Sequence, residues 1–598
     1  MVQTGAKPMR DKTLSFFGLG YVGLTSAVCF ANRGFKAIGF DTDPQKIELI
    51  NSDKAPFYEP KVEELLREAQ RRGLLSLTNT PKEAVEGSDI TFITVGTPNN
   101  PDGSINLEQI KNASRQIGQA LKWKSSYHLV VVRSTVTPGT TENVVKPTIE
   151  SHSGKKCGEG WGLCFNPEFL REGSAVNDTL HPDRIIIGEF DKTSGEMLEE
   201  LYRTFYRGEM PRTIRTTPVN AELVKYANNA FLAMKVSFIN MIANLCQKLP
   251  GADVEVIAEG IGLDRRIGPL FLKAGAGWGG SCFRKDLEAL LDFALKNSVE
   301  LPLVEATLKV NNTQPYRMIE LAKGLIGELN GKKVSVLGLA FKPDTDDMRD
   351  AVSIKVVKRL LEEGARVTVY DPKALENARK IFGESVEYAE SVEECLRNSE
   401  CALIVTEWEE FKKLTPEIFI KHMKIPAIVD GRRIYDAKTF SNRLRFAAIG
   451  LGEKKYYNPA LAANAIIHKE NNILLVKRNI EPFKDLWSLP GGFIEQNETV
   501  KEALTREIEE ETGLKVKPTK LIGVYSNPNR SPVKHVVTIC YECEIVSGEL
   551  KAGGENIEAR FFPPDTIPQL AFDHKTIVED YLKMLKQKEV TNKDSGEA

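Results

Sequence analysis

Residues 13–41 read TLSFFGLGYVGLTSAVCFANRGFKAIGFD. Leu14–Phe17 is an apolar run of strand length, and Gly18-Leu-Gly20-Tyr-Val-Gly23 follows it at once. An apolar stretch of helical length comes next, then a second strand-like run, Ala37–Phe40, which ends on Asp41. A lone G-x-G-x-x-G triplet is weak evidence. Strand, glycine turn, helix, strand and acid in this order form a dinucleotide fingerprint. In it Gly18 permits the tight turn, Gly20 lets a pyrophosphate approach the helix N-terminus, and Gly23 lets helix and strand pack closely. Asp41 is expected to accept hydrogen bonds from a ribose 2′-hydroxyl and to repel a 2′-phosphate, which favours NAD over NADP.

Around this nucleus the strand-like runs Ile90–Val95, Leu129–Val132 and Arg184–Gly188 alternate with helical stretches, the pattern of an α/β fold. From Val219 to Leu249 the strands stop, apolar residues recur at helical spacing, and no proline interrupts until Pro250. A long helix is expected there, with further helices to about residue 325. A second α/β block opens at Lys332–Leu337 and runs to about Gly450. It echoes the first: KTLSFFGLG…FKAIGFDTDP against KKVSVLGLA…ARVTVYDPKA, each a strand, glycine turn, helix and strand ending in Asp. Two mononucleotide-binding folds in tandem are expected. The stretch GLGEKKYYNP (450–459) reads as a linker, and a third compact unit follows it. The domains are therefore placed at 12–215 and 326–450 (two Rossmann-like doubly wound domains), 216–325 (a helical region bridging them) and 459–590. Residues 1–12 read as a loose tail, and the polar end QKEVTNKDSGEA reads as disordered.

Composition narrows the class. At 598 residues, 41% hydrophobic and 27% charged, the chain is globular and long enough for about three to five domains. Lys+Arg 80 against Asp+Glu 82 leaves a net charge of −2, which argues against bulk binding to nucleic acid or an anionic membrane. The N-terminus lacks the apolar core of a secretory signal, and no run of eighteen apolar residues promises a spanning helix. Nine scattered cysteines do not form a disulfide framework, so a cytoplasmic protein with reduced thiols is expected. Cys540 and Cys543 form a CxxC without a second pair or a His cluster, which reads as strand packing rather than a metal site.

Gly275-Ala-Gly277-Trp-Gly279-Gly280-Ser-Cys282 puts a thiol behind a glycine-rich turn, with Lys285 and Asp286 directly after it. Nearby cations are expected to lower the thiol pKa toward the reactive thiolate. A nucleophilic thiol beside an NAD fold suggests oxidation through a thiohemiacetal and a thioester. Further motifs stand in order: VGTP…DG (95–103), STVTPGT (134–140), NPEFLREG (166–173), ELVKYANNAFLAMKVSFIN (222–240), GAGWGGSCFRKD (275–286), AFKPDTDDMRD (340–350) and DGRRIYD (430–436). With GLGYVG (18–23), they make residues 12–450 resemble the UDP-glucose/GDP-mannose 6-dehydrogenases.

The resemblance implies an NAD domain, a helical dimerising middle and a nucleotide-sugar domain, in a homodimer or higher homo-oligomer. It implies a four-electron oxidation of a C6 alcohol to a carboxylate with two NAD per turnover. Cys282 is then the nucleophile, Lys225 the cation at the C6 oxyanion, and Asn229 a partner of the same oxygen. Asp286 handles protons with a water, Glu168 is the base for thioester hydrolysis, and Thr135 holds a water or the cofactor. Lys46, Thr97, Glu172, Lys285 and Arg349 are implied cofactor contacts. Phe169, Leu170, Arg171 and Glu172 beside Glu168, together with Phe271, Gly275, Gly279 and Lys342, are implied substrate contacts. Arg432 is implied to reach an active site across the dimer. Two positions depart from the family pattern: Arg284 stands where SCFPKD has proline, and Arg433 where DGRN has asparagine. Ser281 before the cysteine resembles the UDP-glucose branch, so UDP-glucose is the preferred substrate. GDP-mannose and UDP-N-acetylmannosamine are the alternatives.

In the third unit Gly492, Glu498 and Arg506-Glu507-Ile508-Glu509-Glu510-Glu511-Thr512-Gly513-Leu514 match the box GX5EX7REUXEEXGU at every defined position. The unit resembles the Nudix hydrolases, with an αβα sandwich fold. Glu507, Glu510 and Glu511 are three and four residues apart and are expected on one inward face with Val500, Ala503 and Leu504. Inward carboxylates need cations, and oxygen ligands favour Mg2+ or Mn2+ that clamp a pyrophosphate and activate water. Glu498 is a further ligand or orienter, and Arg506 positions the glutamates. The segment VYSNPNRSP (524–532) resembles ADP-ribose pyrophosphatases, which makes ADP-ribose the leading nucleoside diphosphate derivative. The competing reading makes this unit a non-catalytic nucleotide sensor.

Overall fold

The computed structural model describes residues 7–452 and 459–594. The expected linker falls largely on 453–458, outside the described residues. The chain divides into two compact units: Met1–Leu414 with Ile428–Tyr435 and Ala447–Glu453, and Lys454–Ala598 with Thr415–Ala427 and Asp436–Phe446.

The first unit opens with an eight-stranded sheet. Its order is Leu75–Thr78, Lys36–Phe40, Thr13–Phe17, Ile90–Ile93, His128–Val132, Trp161–Phe165, Ile185–Glu189, Thr213–Thr216. All neighbours run parallel except Trp161–Phe165 with Ile185–Glu189. The central strands are buried along their whole length, as a parallel sheet covered on both faces requires. Alternate residues feed two cores: Leu14, Phe16, Leu129 and Val131 on one face, Phe17, Val130 and Val132 on the other. The strand order reverses between Thr13–Phe17 and Ile90–Ile93, so a crevice opens beyond their carboxyl ends. The sequence reading missed the strands Leu75–Thr78, Trp161–Phe165 and Thr213–Thr216. Two have only four residues, and the third is interrupted by Gly162.

The second sheet has the order Glu387–Tyr388, Arg366–Tyr370, Lys333–Leu337, Cys401–Ile404, Ala427–Asp430, Arg445–Ala448, the same reversal as the first. The internal echo extends to atoms. Leu19 N donates to Asp41 Oδ2 at 2.8 Å, and Leu339 N to Asp371 Oδ2 at 2.7 Å. In the second copy the acid is engaged internally, because Asp371 also accepts from Ala340, Lys373 and Ala374 N–H and from Trp408 Nε1.

The long helix runs Pro218–Cys246, capped by Thr217. By length and composition its 29 residues suffice to cross a membrane, contrary to the expectation that no such helix exists. Its buried stripe holds Glu222, Lys225, Asn229 and Asn240, all bonded within the protein, which makes it a core helix.

In the second unit Ala460–Lys469 is the central strand. It runs antiparallel to Asn472–Arg478 and Gly491–Phe493 and parallel to Val536–Gly548. One core packs the sheet against Ile577, Val578 and Tyr581 of the helix His574–Asp594, the other against Leu504 and Ile508 of Val500–Thr512. This is the αβα sandwich. Cys540 and Cys543 enter opposite cores, one on each face, as strand packing predicts. The polar end is helical as far as Asp594, where disorder was expected; no Gly or Pro interrupts His574–Asp594, and Lys and Glu favour a helix. Likewise Met9–Asp11 forms a turn within the expected loose tail, and Lys7 pairs with Asp89.

Candidate functional site

A cavity of about 1070 Å3 lies at the crevice of the first sheet. Gly18, Gly20, Asp41, Lys46, Thr97, Thr135 and Glu172 line it, as do Cys282, Lys285 and Arg349. Nothing stands within 4 Å of a Cβ built on Gly20, so the backbone there is open to a ligand. A Cβ on Gly23 would collide with Gly18 O, which makes Gly23 a packing glycine outside the wall. Asp41 Oδ2 accepts from Leu19 N and from Lys46 Nζ at 2.9 Å, and Asp41 stands at the cavity wall. Thr97 Oγ1 donates to Thr135 O at 2.8 Å, which joins two of the loops above the strands.

A second cavity, about 570 Å3, is lined by Phe169, Leu170, Arg171, Lys225, Asn229 and Phe271. Arg133, Glu168 and Cys282 belong to both walls. The thiol thus stands where the two cavities meet.

Around it the charges are paired. Lys225 Nζ donates to Glu168 O at 2.7 Å and Oε1 at 2.8 Å, in a buried pair. Burial pushes the Glu168 carboxyl up, but the Lys225 ammonium and the Leu170 N–H hold it below its ordinary value. Burial likewise lowers Lys225, and Glu168, Asp286 and the Cys282 sulfur more than reverse this. Asn229 Nδ2 donates to Asp286 Oδ2 at 2.7 Å, and Lys285 Nζ to Asp286 Oδ1 at 2.6 Å. Asp286 lines neither cavity but fixes both of these groups.

The thiol itself departs from expectation. Cys282 is exposed to the cleft, yet desolvation by the surrounding protein raises its pKa; Glu168 and Asp286 add to this, and Lys225 and Lys285 oppose it. The cations predicted to activate it come paired with carboxylates, so their effect is offset. Glu172 accepts from Ser281 Oγ at 3.0 Å and from Arg349 Nη2 at 3.3 Å. Burial and the facing Asp347 push its carboxyl up to about 8.

Four expected substrate contacts line neither cavity. Gly275 N is held by Asn240 Oδ1 at 2.9 Å. Gly279 lies against Asp350 O, where a Cβ would come to 2.5 Å. Lys342 is lowered by burial, with Glu172 and Glu59 opposing. Arg432 donates to Gly277 O at 2.9 Å and Val405 O at 2.5 Å of its own chain. Sequence reasoning missed Arg133, whose Nη1 reaches Tyr202 Oη at 2.8 Å and Asn166 Oδ1. Its signal was its place directly before STVTPGT. Glu222 was also missed; it accepts from Gly139 N at 2.6 Å and Thr141 N at 2.8 Å, and burial pushes it up to about 7.

In the second unit a Thr499–Glu502 capping box starts the helix Val500–Thr512, and Gly513 in the left-handed region ends it. Its glutamates do not share one inward face. Glu511 is half-buried and accepts from Gly491 N at 2.9 Å, Glu507 packs against Gly492, and the Glu510 side chain is 57% exposed. The buried stripe includes Ile508 and Thr512 besides Ala503 and Leu504, so its centre lies nearer Glu511 and turns Glu510 outward. Burial pushes Glu511 up to about 7 with Glu507 adding, and burial raises Glu507, with Glu510 and Glu498 adding. Arg506 bridges Glu498 at 2.7 Å, Glu507 at 2.8 Å and Glu510 at 3.6 Å. Among the described residues no three His, Cys, Asp or Glu already form a metal cage. Two raised carboxyls with oxygen-only donors fit a hard divalent cation, which would relieve both. The buried Arg530 is engaged elsewhere, in an ion pair with the half-buried Asp573.

Comparison with known proteins adds to this geometry. Models of the UDP-glucose/GDP-mannose dehydrogenase family match residues 12–206 (NAD binding domain), 219–313 (central domain) and 335–437 (UDP binding domain). A NUDIX domain model matches 458–581. The UDP-glucose 6-dehydrogenase AglM of Haloferax volcanii is 43% identical over 422 residues, 70% of this chain and 96% of that one. The UDP-glucose 6-dehydrogenase YwqF of Bacillus subtilis is 41% identical, over 71% of this chain and 93% of its own length. The solved UDP-glucose dehydrogenase of Pyrobaculum islandicum superposes with a TM-score of 0.68 at 39% identity, covering 76% of this chain and all of that one.

Proposed function

The chain belongs to the UDP-glucose/GDP-mannose dehydrogenase family and carries a NUDIX domain behind it, and from this we propose two activities, UDP-glucose 6-dehydrogenase and Nudix pyrophosphohydrolase. The observation that carries the first is the Cys282 thiol at the junction of an NAD-sized cavity and a second, smaller one. NAD, when bound, takes up one hydride in each of two successive oxidations. Asp41 and Lys46 hold its ribose end, and Thr97, Thr135, Lys285 and Arg349 hold the remainder. The UDP-glucose C6 lies at Cys282. The first hydride leaves C6 and its hydroxyl proton passes to a water held by Asp286, which gives the aldehyde. Cys282 adds to the aldehyde carbon, while Lys225 and Asn229 receive the developing negative charge on its oxygen. Loss of the second hydride leaves a thioester on Cys282. Glu168 takes a proton from water, which supplies the second carboxylate oxygen and frees the thiol. The UDP-glucose choice is supported by Ser281 and by the substrate named for the relatives.

A homodimer is supported by the apolar surface that the helical region leaves bare, with Phe231 57%, Val256 67% and Leu263 78% exposed. We place both reactions in the cytoplasm. In the second unit Glu507, Glu510 and Glu511, with Glu498, hold Mg2+ or Mn2+, and the substrate is a nucleoside diphosphate derivative, ADP-ribose first. The metal, when bound, polarises the pyrophosphate and lowers the pKa of its water.

The deciding experiment follows NADH with UDP-glucose, GDP-mannose and UDP-N-acetylmannosamine. Two NADH per UDP-glucose are expected, and no sugar acid from Cys282→Ala. Acid formation by that variant, or a better rate with another sugar, refutes the corresponding part of the reading.

A further inference from the structure

The two departures from the family motifs both add arginines, and the structure gives Arg284 a task. Arg284 sits in the first turn of the helix Phe283–Lys296, directly behind the nucleophile. A cation there opposes the helix dipole and needs acids to hold it. They are present: Arg284 Nε lies 2.8 Å from Asp350 Oδ2, and Nη1 lies 3.4 Å from Glu288 Oε1. Its Nη2 donates to Asn312 Oδ1 at 2.5 Å. Asp350 ends the segment AFKPDTDDMRD, which follows the first strand of the second Rossmann domain. That segment lies directly on the glycine turn before the thiol. Gly280 N donates to Arg349 O at 3.1 Å, and Gly279 leaves no room for a Cβ beside Asp350 O. Directly before Cys282, Ser281 Oγ reaches Glu172, which Arg349 also binds. Cys282 is therefore bracketed by two links to one segment, through Ser281–Glu172–Arg349 and through Arg284–Asp350.

We propose that Arg284 is a positioning residue: by clamping the nucleophile turn to Asp350 of the nucleotide-sugar domain, it holds the Cys282 thiol at the junction of the two cavities. The clamp rests on the dehydrogenase reading above. A proline at this position has no such link to offer, so the arginine gives this chain a rigid nucleophile turn by an ion pair rather than by a ring.

The test uses the full chain with Arg284→Ala, Asp350→Asn and both together. Asparagine is chosen because Asp350 has φ of 50°, which Asn tolerates and Ala does not. With UDP-glucose and NAD, each single variant is expected to lower kcat about 5- to 10-fold, and the double variant no further. Arg284 and Asp350 also line the larger cavity, so the KM for NAD separates the two roles: it stays within about twofold where positioning, and not a uniform binding contact, is lost. Amide hydrogen exchange in the peptide spanning 279–284 rises by the same factor in all three. Additive losses in kcat, a loss confined to the KM for NAD, or unchanged exchange overturns the clamp. No NADH from the unaltered chain with any nucleotide sugar overturns the dehydrogenase reading instead; exchange then decides the clamp alone.

Discussion

Glu172 is a carboxyl that its surroundings keep from ionising. Burial and the facing Asp347 push it up to about 8, against the pull of Arg349 and Ser281. An unfolded glutamate titrates near about 4.3. Between these values the folded chain holds a proton that the unfolded chain releases, so this group's contribution to stability falls as pH rises through the window. Glu172→Gln has no such proton. Calorimetry at pH 5 and pH 8 is expected to show the variant gaining on the unaltered chain as pH rises; the same offset at both values argues against it. The sequence named Glu172 as a ligand contact through its motif, but its proton state was not legible there. Asp347 and Arg349 reach it from the second Rossmann domain. Cys282 carries the same lesson. Lys285 and Asp286 were visible beside it, whereas Glu168 and Lys225, which face it from a loop and a distant helix, decide its charge balance.

At the scale of elements, what recurs locally was readable. The glycine turn, the long helix and the carboxylate helix all stand where spacing put them. Short strands were missed because four residues carry too little pattern to separate from a loop. The carboxylate helix was read correctly in extent and imprecisely in rotation. Its inward stripe was drawn through Val500, Ala503 and Leu504, and adding Ile508 and Thr512 turns it toward Glu511. The strand Gly491–Phe493 sets the other wall, and a Cβ on Gly492 would overlap the Glu507 carboxylate. Gly492→Ala therefore displaces one proposed ligand without removing any carboxylate. Metal-dependent hydrolysis of ADP-ribose is expected to fall about 10- to 100-fold. NADH formation by the same preparation is expected to remain. Undiminished hydrolysis would mean that Glu507 is not a ligand.

Across the whole molecule, the residues of each proposed chemistry lie within one compact unit. Cys282, Lys225, Glu168 and the fingerprint glycines belong to the first, and Glu498, Glu507, Glu510 and Glu511 to the second. The groups proposed to hold charge also differ in kind: side-chain cations at the thiol, carboxylates with a divalent ion on the helix. The separation fits two independent sites, and the proposal that both are catalytic predicts a reciprocal pattern in the full chain. Cys282→Ala is expected to abolish sugar-acid formation and leave Mg2+-dependent release of AMP from ADP-ribose intact. Glu511→Gln is expected to do the reverse, with hydrolysis reduced at least about 100-fold. A chelator is expected to act like Glu511→Gln. If the unaltered chain releases no AMP, and Glu511→Gln instead changes how ADP-ribose affects the NADH rate, the second unit is a sensor, and its intact box serves binding alone.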